Sequence, residues 1–256
     1  MSRCAFLTLI VGLCMSSSLA AADHRDRFER RIFTGGGTQL PYRLLKPKNY
    51  DPSQKYPLVV FLHGAGERGN DNHKQLVHGM NDFASDEIMD KYPAFVMAPQ
   101  CPEGQWWAPF NQATKSAAGG DQPAPALAAV LEAIPALQKE FSIDAQRIYI
   151  TGLSMGGYGT WAAISRRPEL FAAAAPICGG GDPASAATIK HIPIWAFHGA
   201  DDNVVPAAQS RQMIEALKAA GAQPKYTEYS GVGHDSWTET YRNPELYAWL
   251  FAQRRP

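Results

Sequence analysis

Gly152-Leu153-Ser154-Met155-Gly156 is the stretch that decides the fold, because a β-rich segment ends just before it and a helical segment begins within it. Residues 148–151 form the β-rich segment, and residues 156–167 form a helical segment that stops before Pro168. The two glycines let the backbone turn sharply between strand and helix and leave the serine hydroxyl exposed. The pentapeptide therefore predicts a nucleophilic serine at a strand–helix turn, with a plain glycine-rich turn as the alternative.

The same alternation of strands and helices extends on both sides of this turn. Besides residues 148–151, β-rich and mostly apolar segments occupy residues 58–62, 95–98, 172–177, 194–197 and 226–229. Helices are predicted over residues 124–141, 156–167, 206–220 and 244–254, with a kink or break at Pro135. Residues 28–34 and 39–45 flank three glycines, which predicts an N-terminal β-hairpin. The pattern predicts an α/β fold with a doubly wound, mostly parallel sheet.

Composition and charge narrow the classes of partner. The 256 residues are 45% hydrophobic and 19% charged, with 24 basic and 24 acidic residues, which is typical of a globular protein. No basic run is present, so we expect no nucleic-acid partner. No group of His, Cys, Asp or Glu has metal-ligand spacing, and no glycine-rich nucleotide fingerprint opens an early helix. We therefore expect neither a metal nor a cofactor.

The first 22 residues have the features of a secretory signal peptide. Arg3 supplies a positive charge, residues 4–15 are apolar, and Ala20-Ala21-Ala22 forms a small-residue cleavage site. The apolar stretch is shorter than the roughly 20 residues of a membrane-spanning helix, so no membrane span is expected. Cleavage near Ala22 would leave residues 23–256 as one catalytic domain, secreted or periplasmic. That domain contains two cysteines, Cys101 and Cys178, which either form a disulfide or remain two unpaired core residues.

A nucleophilic serine needs a general base, and His234 is the histidine whose position fits this role. It lies in a loop after the last predicted strand and before the last helix, where an imidazole can reach the carboxyl edge of the sheet. His63 and His198 each end an apolar strand and are interpreted as residues that organise the backbone. The acid that orients the base is expected after residues 194–197, where Asp201 and Asp202 are adjacent. Their side chains diverge, so only one of them can face the imidazole.

Two further stretches are candidates for contacts with a substrate. The oxyanion donors are predicted to be the backbone N–H of Met155 and that of Ala65, with Gly66 as second choice; the alternative is a flexible glycine-rich turn. Trp106 and Trp107 follow the strand over residues 95–98, at the edge of the sheet where ligands bind. They are predicted either to line the substrate cleft or to pack on the core beneath their loop.

These motifs together carry a resemblance that covers almost all of the chain after residue 22. Residues 62–69, 152–159, 198–206 and 233–234 resemble the secreted carboxylesterases related to dienelactone hydrolases, feruloyl esterases and the catalytic domains of prolyl oligopeptidases. The resemblance implies an α/β-hydrolase fold and ester hydrolysis through an acyl-serine. It also implies Asp202 as the orienting acid, because the motif places the acid three positions after the glycine. Dienelactone hydrolases proper have a cysteine where this chain has Ser154, which weakens a lactone assignment.

The resulting expectation is a serine carboxylesterase with Ser154, His234 and Asp202 as its catalytic triad. Its substrate would be a small-molecule or polysaccharide-linked ester. A secreted serine peptidase or amidase with the same triad is the first alternative, weakened because prolyl oligopeptidases add a propeller domain for which this chain has no room. A catalytically inactive binding module is the second alternative, and a complete triad argues against it.

Overall fold

A mixed eight-stranded sheet forms the centre of the computed structural model, which describes residues 23–35, 38–111, 116–117 and 123–256. Its strands lie side by side in the order β1-β2-β4-β3-β7-β8-β9-β10, and β5 and β6 form a separate two-stranded pair. The strands are β1 (Glu29–Gly35), β2 (Thr38–Leu45), β3 (Tyr56–Leu62), β4 (Phe95–Pro99), β5 (Phe110–Asn111), β6 (Ser116–Ala117), β7 (Ile143–Leu153), β8 (Ala173–Ile177), β9 (Trp195–Gly199) and β10 (Lys225–Tyr229). The predicted signal peptide and Gly36-Gly37 lie outside the described residues.

Strand direction confirms the predicted sheet. β1 and β2 form the expected antiparallel hairpin, and β2 pairs antiparallel with β4. The other neighbouring strands of the large sheet pair in parallel. Strands β3, β4 and β8 are buried along their whole length, which explains their nearly continuous apolar sequence.

Helices cover both faces of the sheet, as the predicted doubly wound fold requires. They are α1 (Met80–Phe83), α2 (Asp86–Lys91), α3 (Pro125–Glu140), α4 (Met155–Arg166), α5 (Ala186–Ile189), α6 (Ala208–Ala219), α7 (Trp237–Arg242) and α8 (Pro244–Ala252). Apolar residues of α3, α4, α5 and α6 pack with Leu58, Val60 and Leu62 of β3 on one face. Residues of α1, α2, α7 and α8 pack with Val59 and Phe61 on the other face. Successive side chains of β3 thus pack alternately into two core layers, one on each face of the sheet.

Two sequence expectations need correction or completion. α3 continues through Pro135, so the break, one of the two outcomes that the sequence predicted there, does not occur. Pro135 is exposed, so water can hydrate the carbonyl that loses its amide donor, while eight buried side chains hold the helix on the sheet. The short elements α1, α2, α5, α7, β5 and β6 were not predicted, because segments of two to six residues show little periodicity. No helix of the described residues is long and apolar enough to cross a membrane.

Candidate active site

Ser154 lies at the sharp turn between β7 and α4, in a strained backbone conformation. Its φ is 53° and its ψ is −115°, a region that residues other than glycine seldom adopt. The turn needs the glycine at position 156, because a Cβ there would lie 1.9 Å from the carbonyl oxygen of Leu62. A Cβ at Gly152 would lie 2.5 Å from the carbonyl oxygen of Gly156. The glycines of the pentapeptide therefore permit a close approach of β7, α4 and the end of β3.

Three side chains that are distant in the sequence form one hydrogen-bonded series at the carboxyl edge of the sheet. His234 Nε2 lies 2.9 Å from Ser154 Oγ, and His234 Nδ1 lies 2.7 Å from Asp202 Oδ2. The Asp202 side chain is fully buried, whereas that of His234 is 20% exposed. A carboxylate only accepts hydrogen bonds, so Nδ1 carries the imidazole proton and Nε2 accepts from the serine hydroxyl. This tautomer is the one that general-base catalysis requires.

Asp202 is held as a carboxylate by several donors. Burial is the largest single influence and acts to raise the pKa of Asp202. Hydrogen bonds with His198, with His234 and with the backbone N–H groups of Val204 and Val205 outweigh it and hold this pKa well below its usual range. The Asp202 side chain therefore stays charged beside the imidazole.

Asp201 does not share this environment. It is exposed, and its backbone N–H donates to the carbonyl oxygen of Val232, 2.9 Å away. That bond joins the loop after β9 to the loop that carries His234. The structure thus brings Asp202, and not its neighbour, against the imidazole.

The loop after β3 lies directly beside the serine. A Cβ at Gly64 would lie 3.8 Å from the Cβ of Ser154, and a short 3-10 helix, Ala65–Glu67, follows. Met155 is the first residue of α4, and Ala65 is the first residue of the 3-10 helix. Backbone N–H groups at helix starts have no partner within their own helix. Both predicted oxyanion donors therefore belong to helix starts in segments that flank Ser154.

Buried polar side chains fix this loop. His63 Nδ1 donates to the Gly64 carbonyl, and His63 Nε2 accepts from the N–H of Cys101, at 2.6 and 2.9 Å. Burial lowers the pKa of His63 to about 4, so the ring stays neutral and keeps both bonds. Gln100 Nε2 donates to the Glu67 carbonyl at 3.1 Å. His63 is thus the organiser of backbone that the sequence suggested, whereas the role of Gln100 was not predicted.

The two adjacent tryptophans differ. Trp107 is fully buried, donates from Nε1 to the His63 carbonyl at 3.0 Å, and packs edge-on against the His63 ring. Trp107 has no exposed surface with which to line a cleft, so it follows the second alternative and packs on the core, where it supports the backbone at His63. Trp106 is partly buried, and the Arg68 guanidinium lies 5.3 Å from its ring centroid. Trp106 therefore remains a candidate for substrate contact.

An aromatic group beside the histidine was missed from the sequence. The Trp237 ring packs edge-on against the His234 ring, with centroids 5.3 Å apart. His78 packs on the same tryptophan at 5.2 Å, and its Nε2 lies 3.6 Å from a carboxylate oxygen of Glu67. The signal was the position of Trp237, three residues after His234. These side chains connect the loop that carries His234 to residues 63–69 after β3, which contain the predicted oxyanion donor Ala65 and are called the oxyanion loop below.

One group of potential metal ligands is present among the described residues, although the sequence predicted none. Cys178, Asp202 and His234 each offer a ligand atom, and these atoms all lie within 4.8 Å of one another. Sequence spacing gave no sign of the group, because its members follow three different strands. Cys178 and Cys101 are both unpaired and buried, so the alternative of unpaired core cysteines applies.

Comparisons with known proteins agree with this architecture. The model of the dienelactone hydrolase family matches residues 95–247. A crystal structure of a thermostable esterase superposes with a TM-score of 0.85 and 47% identity, covering 91% of this chain and 64% of that chain. The feruloyl esterase module from Clostridium thermocellum in complex with sinapinate superposes with a TM-score of 0.66 and 18% identity. That match covers 90% of this chain and 89% of that chain. An uncharacterized secreted protein of Arthroderma benhamiae is 27% identical over 80% of this chain, which spans a quarter of that protein.

Proposed function

The chain belongs to the dienelactone hydrolase family, and from this membership we propose that it is a serine carboxylesterase that works through an acyl-serine intermediate. The single observation that carries the proposal is the hydrogen-bonded series from Ser154 through His234 to Asp202, with distances of 2.9 and 2.7 Å. Membership of the family by itself supports only the coarser assignment, an ester hydrolase. The strained serine and the tautomer imposed by the buried carboxylate support the finer assignment.

In the proposed mechanism, Ser154 Oγ attacks the ester carbonyl carbon while His234 Nε2 takes the hydroxyl proton. Asp202 stabilises the imidazolium that forms, because its carboxylate accepts from Nδ1. The backbone N–H groups of Met155 and Ala65 stabilise the negative oxygen of the tetrahedral intermediate. The imidazolium then protonates the departing alcohol, and water releases the acid by the reverse sequence of proton transfers.

We propose small or polysaccharide-linked esters with an aromatic acyl group as the substrate class. Two partly buried tryptophans offer aromatic surface: Trp237 packs against His234, and Trp106 packs against Arg68, which follows the predicted oxyanion donor Ala65. The fold neighbour from Clostridium thermocellum is a feruloyl esterase bound to sinapinate. We propose esters and not peptides as substrates because the solved protein that is 47% identical to this chain is an esterase.

We further propose that residues 1–22 are a signal peptide and that residues 23–256 act as one exported catalytic domain. The Arthroderma relative is named as a secreted protein, which supports export. The test is the N-terminal sequence of the protein recovered outside the cytoplasm, which should begin near Asp23.

A fluorophosphonate probe tests the nucleophile. Ser154→Ala should abolish labelling and hydrolysis while the melting temperature stays close to that of the parent protein. Ser165→Ala, on the same helix, removes a hydroxyl that donates to the Trp161 carbonyl; it is the matched control and should label normally. Labelling that persists in folded Ser154→Ala protein would contradict the assignment.

Relative rates on methyl ferulate, p-nitrophenyl acetate and a peptide anilide test the substrate class. We expect hydrolysis of both esters, with preference for the ferulate, and little cleavage of the anilide. A faster rate on the anilide would favour the peptidase alternative.

A further inference from the structure

Cys178 lies directly beneath the nucleophile and takes no part in the proposed reaction. It follows β8, is fully buried, and its Sγ accepts from the backbone N–H of Ser154 at 3.3 Å. Its φ is 40°, in the left-handed region that favours glycine, and Gly179 follows immediately. A thiol is therefore held at a position where the backbone itself would suit a glycine.

The thiol shares its surroundings with two other strong metal ligands. Cys178 Sγ and the ligand atoms of Asp202 and His234 lie within 4.8 Å of one another. The hydroxyl of Ser236 is an independent second observation: Ser236 is fully buried, and its Oγ has no hydrogen-bond partner among the described residues. Burial raises the pKa of the Cys178 thiol well above its usual range, and the Ser236 hydroxyl lies near enough to that thiol to oppose part of this rise. Sulfur, nitrogen and two kinds of oxygen donor thus meet below the catalytic histidine.

We propose that Cys178, Asp202 and His234 form a binding site for a thiophilic divalent cation, such as Zn²⁺ or Cd²⁺, whose occupation inhibits the enzyme. Zn²⁺ takes Cys, His and carboxylate ligands at about 2.0–2.3 Å, so a small inward movement of the three side chains completes the contacts. One thiolate and one carboxylate neutralise the double charge of the ion, which a buried site requires. The thiolate selects against Mg²⁺ and Ca²⁺, which prefer oxygen ligands.

The inhibition follows from the proton balance and rests on the proposed function. Binding releases one proton, that of the Cys178 thiol, because the thiolate is the ligand. The ion takes the lone pair of His234 Nδ1, and the proton held there moves to Nε2 of the same ring. A protonated Nε2 cannot accept the Ser154 proton, so the base is lost without any change in oxidation state.

Titration of the metal-free protein with Cd²⁺ tests binding independently of catalysis. The parent protein should show the ultraviolet charge-transfer absorption of one cadmium–thiolate bond at a stoichiometry of one. Cys178→Ala should lose this absorption, and Cys101→Ala, which removes the other buried thiol, should keep it. Loss in Cys101→Ala with retention in Cys178→Ala, or no absorption in the parent protein, would overturn the proposal.

Zn²⁺ inhibition of ester hydrolysis supplies the second readout, with each variant compared with its own metal-free rate. Cys178→Ala and Cys178→Ser should require at least about tenfold more Zn²⁺ for half inhibition, because a ligand is lost. Ser236→Ala, which leaves the cysteine in place, serves if the cysteine variants fail to fold, and should weaken inhibition less. Equal sensitivity of folded Cys178→Ala and parent protein would overturn the inhibitory role. A failure of the esterase proposal would instead appear as absent hydrolysis with cadmium binding intact.

Discussion

Gly156→Ala tests whether the close approach of α4 to the end of β3 is required at the proposed active site. The added Cβ would lie 1.9 Å from the carbonyl oxygen of Leu62 and 2.8 Å from that of His63. Both obstacles are backbone atoms, so no side-chain rotation relieves the clash. Leu62 ends β3 and His63 begins the oxyanion loop, so α4 and this loop must separate by about 1.5 Å to restore ordinary contact distances.

Two opposing effects set the size of the change in stability. Alanine is favoured over glycine within a helix by about 1 kcal/mol. Overpacking against a rigid neighbour costs about 1–3 kcal/mol, and this backbone clash belongs at the upper end. We therefore expect a net loss of about 1–2 kcal/mol, or a fall in melting temperature of about 2–8 °C for a domain of this size.

Activity should suffer more than stability. A displacement of about 1 Å between nucleophile and oxyanion donors typically costs about 100-fold in rate. Steady-state hydrolysis of p-nitrophenyl acetate and a thermal melt measure the two effects in parallel. Gly66→Ala is the matched control, because Gly66 lies in the loop that the clash would displace and a Cβ there meets nothing within 4 Å. If Gly156→Ala keeps kcat/KM within about threefold of the parent protein, the argument from close approach is wrong.

Three further predictions address individual side chains. Asp202→Asn should lower turnover by about 1,000-fold or more with little change in folding, while Asp201→Asn keeps most of its activity. Steady-state kinetics of both variants measure this, and the reverse pattern would assign the role to Asp201. Trp107→Ala should lower the free energy of unfolding by about 3–5 kcal/mol, which a denaturant melt measures. Trp106→Ala should chiefly change the ratio of ferulate to acetate hydrolysis, which assays on the two esters measure. The hydrogen bond that Arg211 donates lowers the pKa of Glu228 to about 2. The charged Glu228 therefore stabilises the fold fully above about pH 4.5, and this stabilisation is lost as the pH falls towards 2. Glu228→Gln should therefore lose up to about 1 kcal/mol at neutral pH but almost nothing at pH 2, and an equal difference at both pH values would contradict this reasoning.

The sequence by itself determined the fold class and the positions of the loops that carry the proposed catalytic residues. Apolar runs of strand length and helices with one apolar face are local patterns, and they predicted the large sheet and its longer helices. The pentapeptide around Ser154 indicated the strand–helix turn, because only a sequence with glycine at both flanks permits that geometry. His234 was found from its position after the last strand. Their catalytic roles remain a proposal.

Contacts between distant segments were beyond the reach of sequence patterns. The choice between Asp201 and Asp202 rested on resemblance to a family, because which neighbouring side chain faces inward depends on how the loop packs. Trp107 is apolar and follows a strand, so nothing local distinguished burial beneath the oxyanion loop from exposure in the cleft.

Cys178 shows most clearly what only the tertiary structure decided. Its proximity to Asp202 and His234 arises because β8, β9 and β10 lie side by side with their carboxyl ends at one edge of the sheet. That order is set by long-range pairing and by burial on both faces of the sheet, whereas sequence periodicity reports only which face of an element is apolar. The sequence therefore determined the strands, and the sheet determined which side chains meet.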